Sequence, residues 1–131
     1  MKTYAFRLTQ GTDLKNELKA FFKHNSIQGG IILTCVGCLD RAAIRMAGGK
    51  TIKQFPERFE IVSLVGTISQ EDSRIHISIS DINGNTYGGH IVEGCIVGTT
   101  AEIVIGELEN VIFTTELDKN TGYKELQIIH K

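Results

Sequence analysis

The first 30 residues of this 131-residue chain show two different spacings of hydrophobic residues, one after the other. Apolar and polar residues alternate from residue 5 to residue 9, and this two-residue period predicts a strand. The segment Gly11-Thr12-Asp13 then breaks the pattern. Beyond it, apolar residues recur at helical spacing, at Leu14, Leu18, Phe21 and Phe22. This spacing predicts one amphipathic helix, which Asp13 caps and which ends near His24.

Segments of strand character follow one another from residue 31 to the end of the chain. Their ranges are 31–36, 42–46, 59–68, 74–80, 91–107 with one or two strands, 111–115 and 126–130. The dipeptide Asn83-Gly84 favours a tight hairpin turn after residue 80, and the last two segments are expected to close the sheet. One early helix and about eight strands, mostly in hairpins, predict an α+β domain with an antiparallel β-sheet.

Length and composition predict a single globular domain over residues 1–131, since 41% of the residues are hydrophobic and 22% are charged. Three cysteines, an odd and low number, together with an N-terminus that lacks a leader pattern, predict a cytoplasmic location. No apolar run reaches the ~20 residues of a membrane helix. Cys35 and Cys38 have C-x-x-C spacing, but a structural zinc site needs four ligands. Buried thiols are therefore the expected role of the cysteines.

Opposite charges nearly cancel, with 14 Lys and Arg residues against 15 Asp and Glu residues. A net charge of −1 argues against strong DNA binding by one copy, because phosphate neutralisation drives that binding. Residues 41–58 nevertheless contain five bases and one acid, and residues 102–118 contain five acids and no base. Both stretches could be solvated faces, or the first could be a basic patch that an oligomer repeats. The residues of that patch are Arg41, Arg45, Lys50 and Lys53.

Two histidines are candidates for a binding site. His76 lies on the polar face of the segment 74–80, and His90 follows two glycines. Because the Asn83-Gly84 turn folds one segment back on the other, the two imidazoles are expected to lie within reach of one another. They could hold zinc or another divalent metal, or they could be solvated or hydrogen-bonded histidines without a ligand.

Arg7 and Glu60 form a second candidate pair. A glutamate inside a strand needs a partner, and Glu60, Glu93 and Glu102 all lie in strand-like segments. Arg7 is a plausible partner, in either a structural or a ligand-binding role. The chain contains no G-x-S-x-G elbow and no dinucleotide or phosphate loop, so no catalytic residue is assigned.

Several blocks, in order over nearly the whole chain, resemble the PPC domain ("plants and prokaryotes conserved"). They are 7–14 (RLTQGTDL), 36–39 (VGCL), 58–64 (RFEIVSL), 76–81 (HISISD) followed by 88–90 (GGH), and 99–105 (TTAEIVI). Two positions depart from the family pattern. Cys38 stands where the family has serine, and Glu57 stands where it has glycine.

The resemblance implies an antiparallel sheet with a flanking helix, assembled as a homotrimer. The apolar runs 95–97 and 103–105 are expected to need cover from other copies. In plant relatives the R-F-E-I block contacts other nuclear proteins, which implies partner contacts for Arg58, Phe59, Glu60 and Ile61. Bacterial relatives carry a provisional DNA-binding label. Some members bind a metal through the histidine blocks and a further histidine, whose position here is Arg74.

Three functions remain open at this point. The first is a DNA-associated or regulatory homotrimer that uses the basic patch. The second is a trimer that binds a small ligand or a divalent metal at a site built from His76, His90, Arg7 and Glu60. The third is an enzyme of unknown reaction that uses the same pocket. The Arg-Gly-Arg-Pro hook of the plant proteins is absent, so the DNA-binding function depends on the family resemblance.

Overall fold

The computed structural model describes all 131 residues, which form one helix and nine strands. The helix is α1 (Leu14–His24), and it follows the first strand, β1 (Lys2–Thr9). The remaining strands are β2 (Gly30–Arg45), β3 (Ile52–Phe55), β4 (Phe59–Ile68), β5 (Ser73–Ser80), β6 (Thr86–Ile91), β7 (Ile96–Glu107), β8 (Val111–Leu117) and β9 (Lys124–His130). Because every strand pairing is antiparallel, the predicted α+β fold is confirmed.

Helix α1 is held at its start by Asp13, as the sequence predicts. One carboxylate oxygen of Asp13 accepts a hydrogen bond from the backbone N–H of Asn16 at 3.0 Å, which satisfies a donor that the first helical turn leaves free. The other oxygen accepts from the backbone N–H of Gly94 at 2.8 Å. Asp13 therefore joins the helix to the turn before β7. The helix buries its apolar stripe against the sheet through Leu14, Leu18 and Phe22.

Strand β2 is central because it pairs with four other strands. Seven strands are linked in the order β1-β7-β2-β4-β5-β6, with β3 paired to the end of β2. The first part of β2 pairs with β7 and β4, whereas Ile44 and Arg45 at its end pair with Ile91 and His90 of β6. The pairings of β2, β4, β5 and β6 therefore form a closed ring. A strand of 16 residues with register shifts is long enough to reach both sides of that ring.

The two faces of the sheet differ in burial. The three isoleucines of β5 are buried and belong to a core of 24 residues that includes the apolar stripe of α1. Residues on the opposite side are exposed, as strand alternation requires. We call this side the outer face; it carries Val36, Val62, Val65 and His76. Each of these valines is more than half exposed, at 59%, 57% and 55% respectively.

Three features of the sheet differ from the sequence prediction. Residues 31–36 and 42–45 belong to one continuous strand, which ends one residue before the predicted end at 46. Gly37 lies within this strand and allows β7 to approach closely. A Cβ at Gly37 would lie 2.1 Å from the carbonyl oxygen of Thr100. The short, largely exposed β3 was not predicted. Strands β8 and β9 pair only with each other, in a separate sheet, and so do not close the main one.

The apolar runs 95–97 and 103–105 do not form an exposed face. Cys95, Val97, Ile103 and Ile105 are buried within the chain itself, because alternate residues of this region point into the core. The expectation that these runs need a second copy to cover them is therefore wrong. The exposed apolar residues of the sheet include the three valines of the outer face, together with Leu33 and Ile52.

We expect Asp13→Ala to lower the free energy of unfolding by about 2 kcal/mol, because α1 loses its N-cap and the N–H of Gly94 loses its acceptor. Urea unfolding followed by circular dichroism measures this change. Asp13→Asn is the matched control and should cost less, since its amide oxygen still caps Asn16. Equal unfolding midpoints for wild type and Asp13→Ala would show that the cap does not stabilise the fold.

Candidate functional site

The two histidines that the sequence singles out lie side by side. His76 on β5 and His90 on β6 are direct partners across the ladder, and their ring centroids are 5.9 Å apart. The turn between the strands is fixed by the carboxylate of Asp81, which accepts hydrogen bonds from the N–H groups of Asn83 and Asn85, both at 2.9 Å. The predicted proximity of the two imidazoles is confirmed.

A basic side chain continues this row of histidines. Arg45, the last residue of β2, lies opposite His90, so the three side chains occupy adjacent positions on β5, β6 and β2. Closure of the strand ring produces this arrangement, because β2 meets β6 only through its last two residues. Arg45 and His90 are both half-buried. The histidine pair therefore has a fixed positive charge beside it.

A cleft of about 340 Å³ lies next to the row, between α1, the end of β2 and the turn between β4 and β5. Lys15 and Lys19 line it from α1, and Arg45 and His90 line it from the sheet. None of the three cations Lys15, Lys19 and Arg45 forms a salt bridge. We call this space the basic cleft. Sequence reasoning missed it, although two lysines one helical turn apart were visible on the polar side of the predicted helix.

Arg74 also lines the cleft, but its charge is already compensated. Its guanidinium nitrogens lie 3.8 Å from a carboxylate oxygen of Asp72 and 3.5 Å from one of Glu125. It also donates a hydrogen bond to the backbone carbonyl of Lys124. Arg74 thereby connects β5 to β9.

The donor set of one chain does not fit a metal ion. No group of three His, Cys, Asp or Glu side chains that could hold a metal is present, so the two imidazoles have no third ligand. The position of the additional family histidine is occupied by Arg74, and the unpaired cation Arg45 stands beside His90. Arg45 repels a divalent cation, and the guanidinium of Arg74 has no lone pair with which to bind one.

Burial and neighbouring charges keep His90 neutral. Partial burial lowers the pKa of His90 below its ordinary value of 6.5, because burial disfavours the charged imidazolium. Repulsion from Arg45, His76 and Lys15 lowers this pKa further, while the carboxylate of Asp72 opposes them. At pH 7 the positive charge around His90 therefore belongs to the neighbouring lysine and arginine side chains.

Arg7 and Glu60 do not join the histidines within one chain. Arg7 lies on β1 opposite Glu102 and donates to the hydroxyl oxygen of Thr100 at 3.3 Å. Three strand steps separate Arg7 from Glu60, and four separate it from His76, which is roughly 14 Å and 19 Å across a flat sheet. The expected pair of Arg7 with Glu60 is therefore not formed. All three side chains nevertheless belong to the outer face.

The predicted basic patch forms the hairpin of β2 and β3, residues 41–55, which we call the basic hairpin. Its side chains do not share one surface. Arg41 and Lys50 are exposed, whereas Arg45 lines the basic cleft. The ammonium group of Lys53 lies 5.1 Å from the ring centre of Phe55, a cation–π contact on another side of the hairpin.

Only two residues of the R-F-E-I block expose their side chains at the surface of the chain. Arg58 is exposed, and its Nε lies 3.3 Å from a carboxylate oxygen of Asp40. Glu60 is exposed as well. Phe59 and Ile61 are buried in the core, at 3% and 7% exposure, because alternate residues of β4 point inward. Partner contact through side chains of this block is thus restricted to its two charged residues.

Cys38 has a polar environment that the sequence pattern does not reveal. Partial burial alone would raise the pKa of its thiol, but hydrogen bonds from Thr99 and the nearby Arg58 outweigh that effect and lower the pKa. The backbone N–H of Thr99 lies 3.1 Å from Sγ of Cys38. Cys35 and Cys95 are buried, and burial raises the pKa of each thiol to about 11. The expected buried role is confirmed for these two cysteines and not for Cys38.

Residues 1–109 match the model of the Plants and Prokaryotes Conserved domain, abbreviated PCC or PPC. The chain belongs to this family. The matched region contains β1 to β7 and α1, and so includes the histidine pair, the basic cleft and the basic hairpin. The hairpin of β8 and β9 lies beyond it.

Several solved structures share this PPC fold. A hypothetical protein from Salmonella enterica has a TM-score of 0.97 at 36% identity, over 99% of this chain and 94% of that chain. A protein from Bacteroides thetaiotaomicron that is provisionally named DNA-binding has a TM-score of 0.85 at 23% identity, over 95% and 91%. A metal-containing protein from Archaeoglobus fulgidus has a TM-score of 0.82 at 24% identity, over 97% and 94%. At such identities the last two show the fold alone.

A curated relative is a much longer protein. The bifunctional protein GlmU of Synechococcus sp. strain JA-3-3Ab is 38% identical over 128 residues, which cover 98% of this PPC chain and 21% of that protein. The chain thus spans about a fifth of the length of the curated relatives it matches. Helix α1 is too short and too polar to cross a membrane, and no other helix is present.

The lowered pKa of His90 predicts that the PPC chain loses stability on mild acidification. The unfolded chain takes up a proton at about pH 6.5 and the folded chain only below that, so stability falls between about pH 6.5 and the lower, folded pKa. His90→Gln should reduce this loss, measured as urea midpoints at about pH 7.5 and pH 5. His24→Gln, at the exposed end of α1, should leave the loss unchanged. An NMR titration that gives His90 a pKa above 6.5 would refute the prediction.

Proposed function

We propose that this PPC chain acts in the cytoplasm as a homotrimeric, DNA-associated regulator. The observation that carries the proposal is the basic hairpin, which holds four basic residues and no acid between residues 41 and 55. The provisional DNA-binding names of PPC structures from Bacteroides thetaiotaomicron and Ralstonia eutropha support the same function.

The shape and charge of the basic hairpin suit contact with duplex DNA. A two-stranded β-ribbon fits the major groove, and the exposed Arg41 and Lys50 at its surface can reach phosphate oxygens. Phosphate contacts position a protein on DNA without reading its sequence. Binding should therefore be tolerant of sequence and strongly dependent on salt. Because one chain has a net charge of −1, avidity from three copies has to supply much of the affinity.

The outer face supports assembly with further copies. It leaves three valines more than half exposed in one chain, and clustered exposed apolar residues mark contact surfaces. The same face carries Arg7, Glu60 and His76, which the sequence analysis named as candidate site residues. An assembly through the outer face would bury the valines and bring these polar residues of different copies close together.

We expect Arg41→Gln/Lys50→Gln to weaken binding to mixed-sequence duplex DNA by about tenfold or more, because two phosphate contacts are lost. The slope of log affinity against log salt should become shallower by about 2 for each bound chain. Fluorescence anisotropy with labelled duplex over a salt series measures both quantities.

The matched control for this experiment is Lys23→Gln/Lys119→Gln, which removes the same charge from two exposed lysines outside the basic hairpin. It should bind DNA as the wild type does. The proposal is contradicted if the wild type does not bind even at low salt. It is also contradicted if both pairs of substitutions weaken binding equally, since net charge would then be the cause.

Light scattering should give a mass three times the 14.4 kDa of one chain. Val36→Lys should shift the protein toward smaller species, because the assembled state would bury a lysine ammonium without a partner. Leu117→Lys is the control, since Leu117 is 63% exposed at the end of β8, in the separate two-stranded sheet. A wild type that is monomeric at micromolar concentration would remove the trimer from the proposal.

A second candidate function is that of a ligand-binding trimer. The observation that favours it is the 5.9 Å separation of the His76 and His90 rings, beside a cleft large enough for a small molecule. A metal ligand would require a third donor from another copy, since one chain has none. Equal zinc uptake by wild type and His90→Ala would exclude His90 as a metal ligand.

A further inference from the structure

We infer that the basic cleft binds a small, multiply charged phosphate anion, such as inorganic pyrophosphate or the phosphate group of a metabolite. The inference deepens the second candidate function, because it names the ligand class of the site beside the histidines. It depends on the convergence of three unpaired cations, Lys15, Lys19 and Arg45, on one cleft. Neither a metal nor the titration of a histidine is needed for it.

The charges along the cleft are not balanced by the protein. Two acids, Glu71 and Asp72, line the cleft opposite four cations when Arg74 is included. Asp72 is already engaged, by Arg74 at 3.8 Å and by the backbone N–H of Ser73 at 2.9 Å. Glu71 is exposed and forms no salt bridge. The excess positive charge therefore remains available to a bound anion.

The fold holds the three cations in place from two directions. Lys15 and Lys19 are one turn apart on α1 and so point to the same side of the helix. Arg45 faces them from the sheet, because the closed ring of strands fixes the end of β2 beside β6. Lys15 and Arg45 are half-buried. The three cations therefore line one cleft from α1 and from the sheet, and an anion bound there would be attracted by all of them.

The walls of the cleft restrict the chemistry of the ligand. Only one of its eleven lining residues, Ile68, is hydrophobic, so the cleft offers few apolar side chains to an aromatic base or an acyl chain. The volume of about 340 Å³ is at the small end for ligand sites. A guanidinium can donate two parallel hydrogen bonds to a phosphate, and lysines add point charges. This combination suits a compact phosphate anion better than a carboxylate with a large apolar body.

Titration calorimetry with inorganic pyrophosphate at constant ionic strength tests the inference. Wild type should show saturable binding, and Lys15→Gln/Lys19→Gln should bind at least about tenfold more weakly, since two charged contacts are lost. Glutamine keeps the helix propensity close to that of lysine, and circular dichroism checks the fold. Lys23→Gln/Lys119→Gln carries the same change of charge outside the cleft and should bind as the wild type does.

Two results would overturn the inference: no saturable binding by the wild type, or equal affinity in the cleft pair and the control pair. If the cleft pair fails to fold, NMR spectra of labelled wild type decide the question. Pyrophosphate should then shift the amide signals of Lys15, Lys19 and Arg45. Shifts confined to other residues would overturn the inference.

The phosphate could also belong to DNA, and the hairpin variant separates the two sources. Arg41→Gln/Lys50→Gln should retain pyrophosphate binding, whereas the cleft pair should retain DNA binding. If the cleft pair loses pyrophosphate and DNA together, the basic cleft is a DNA phosphate site and the small-anion inference is wrong. If the wild type binds pyrophosphate but neither the wild type nor any variant binds DNA, only the DNA proposal fails.

Discussion

The pairing of one long strand with neighbours on both sides is the constraint on which the rest of the structure depends. β2 pairs with β7 and β4 along its first part and with β6 at its end. The ring that results encloses the isoleucines of β5 in the core and leaves the intervening residues on the outside. A backbone that must satisfy partners at both ends of one strand has little freedom to move either end alone. The contact between Arg45 and His90 is a direct product of this closure.

One face of the sheet is buried and the other is exposed. Residues that stabilise the fold and residues that are available for function therefore lie on different faces. The inner face packs against the apolar stripe of α1, and Asp13 fastens that helix to the turn before β7. The outer face has no such cover, and its valines alternate with charged and imidazole side chains. Core packing explains why Phe59 and Ile61 of the R-F-E-I block are buried. It does not explain the exposed Arg58 and Glu60, which remain available for contacts outside the chain.

Local patterns predicted those parts of the fold that local interactions determine. The spacing of Leu14 and Leu18, with Asp13 before them, was sufficient for α1, and the turn at Asn83-Gly84 was sufficient to place His76 beside His90. Pairing between distant segments was not predictable in this way. The segments 31–36 and 42–46 were predicted as two strands because the residue that packs against Gly37 between them, Thr100, lies far along the chain. The basic cleft was missed for the same reason, since α1 and the end of β2 meet only in the folded chain.

Neighbouring charges, and not the histidines themselves, decide the sign of the ligand that this site can accept. A pair of neutral imidazoles can bind a cation through their lone pairs or an anion through their N–H groups.

In this chain the position of a further family histidine is Arg74, whose charge Asp72 and Glu125 compensate. That compensation leaves Lys15, Lys19 and Arg45 without acids of their own. A metal ion would have to enter against these three cations with only two ligands, whereas an anion would be attracted by all of them. On this proposal, the charges at a few positions around a histidine pair would be enough to make the site accept an anion in place of a cation.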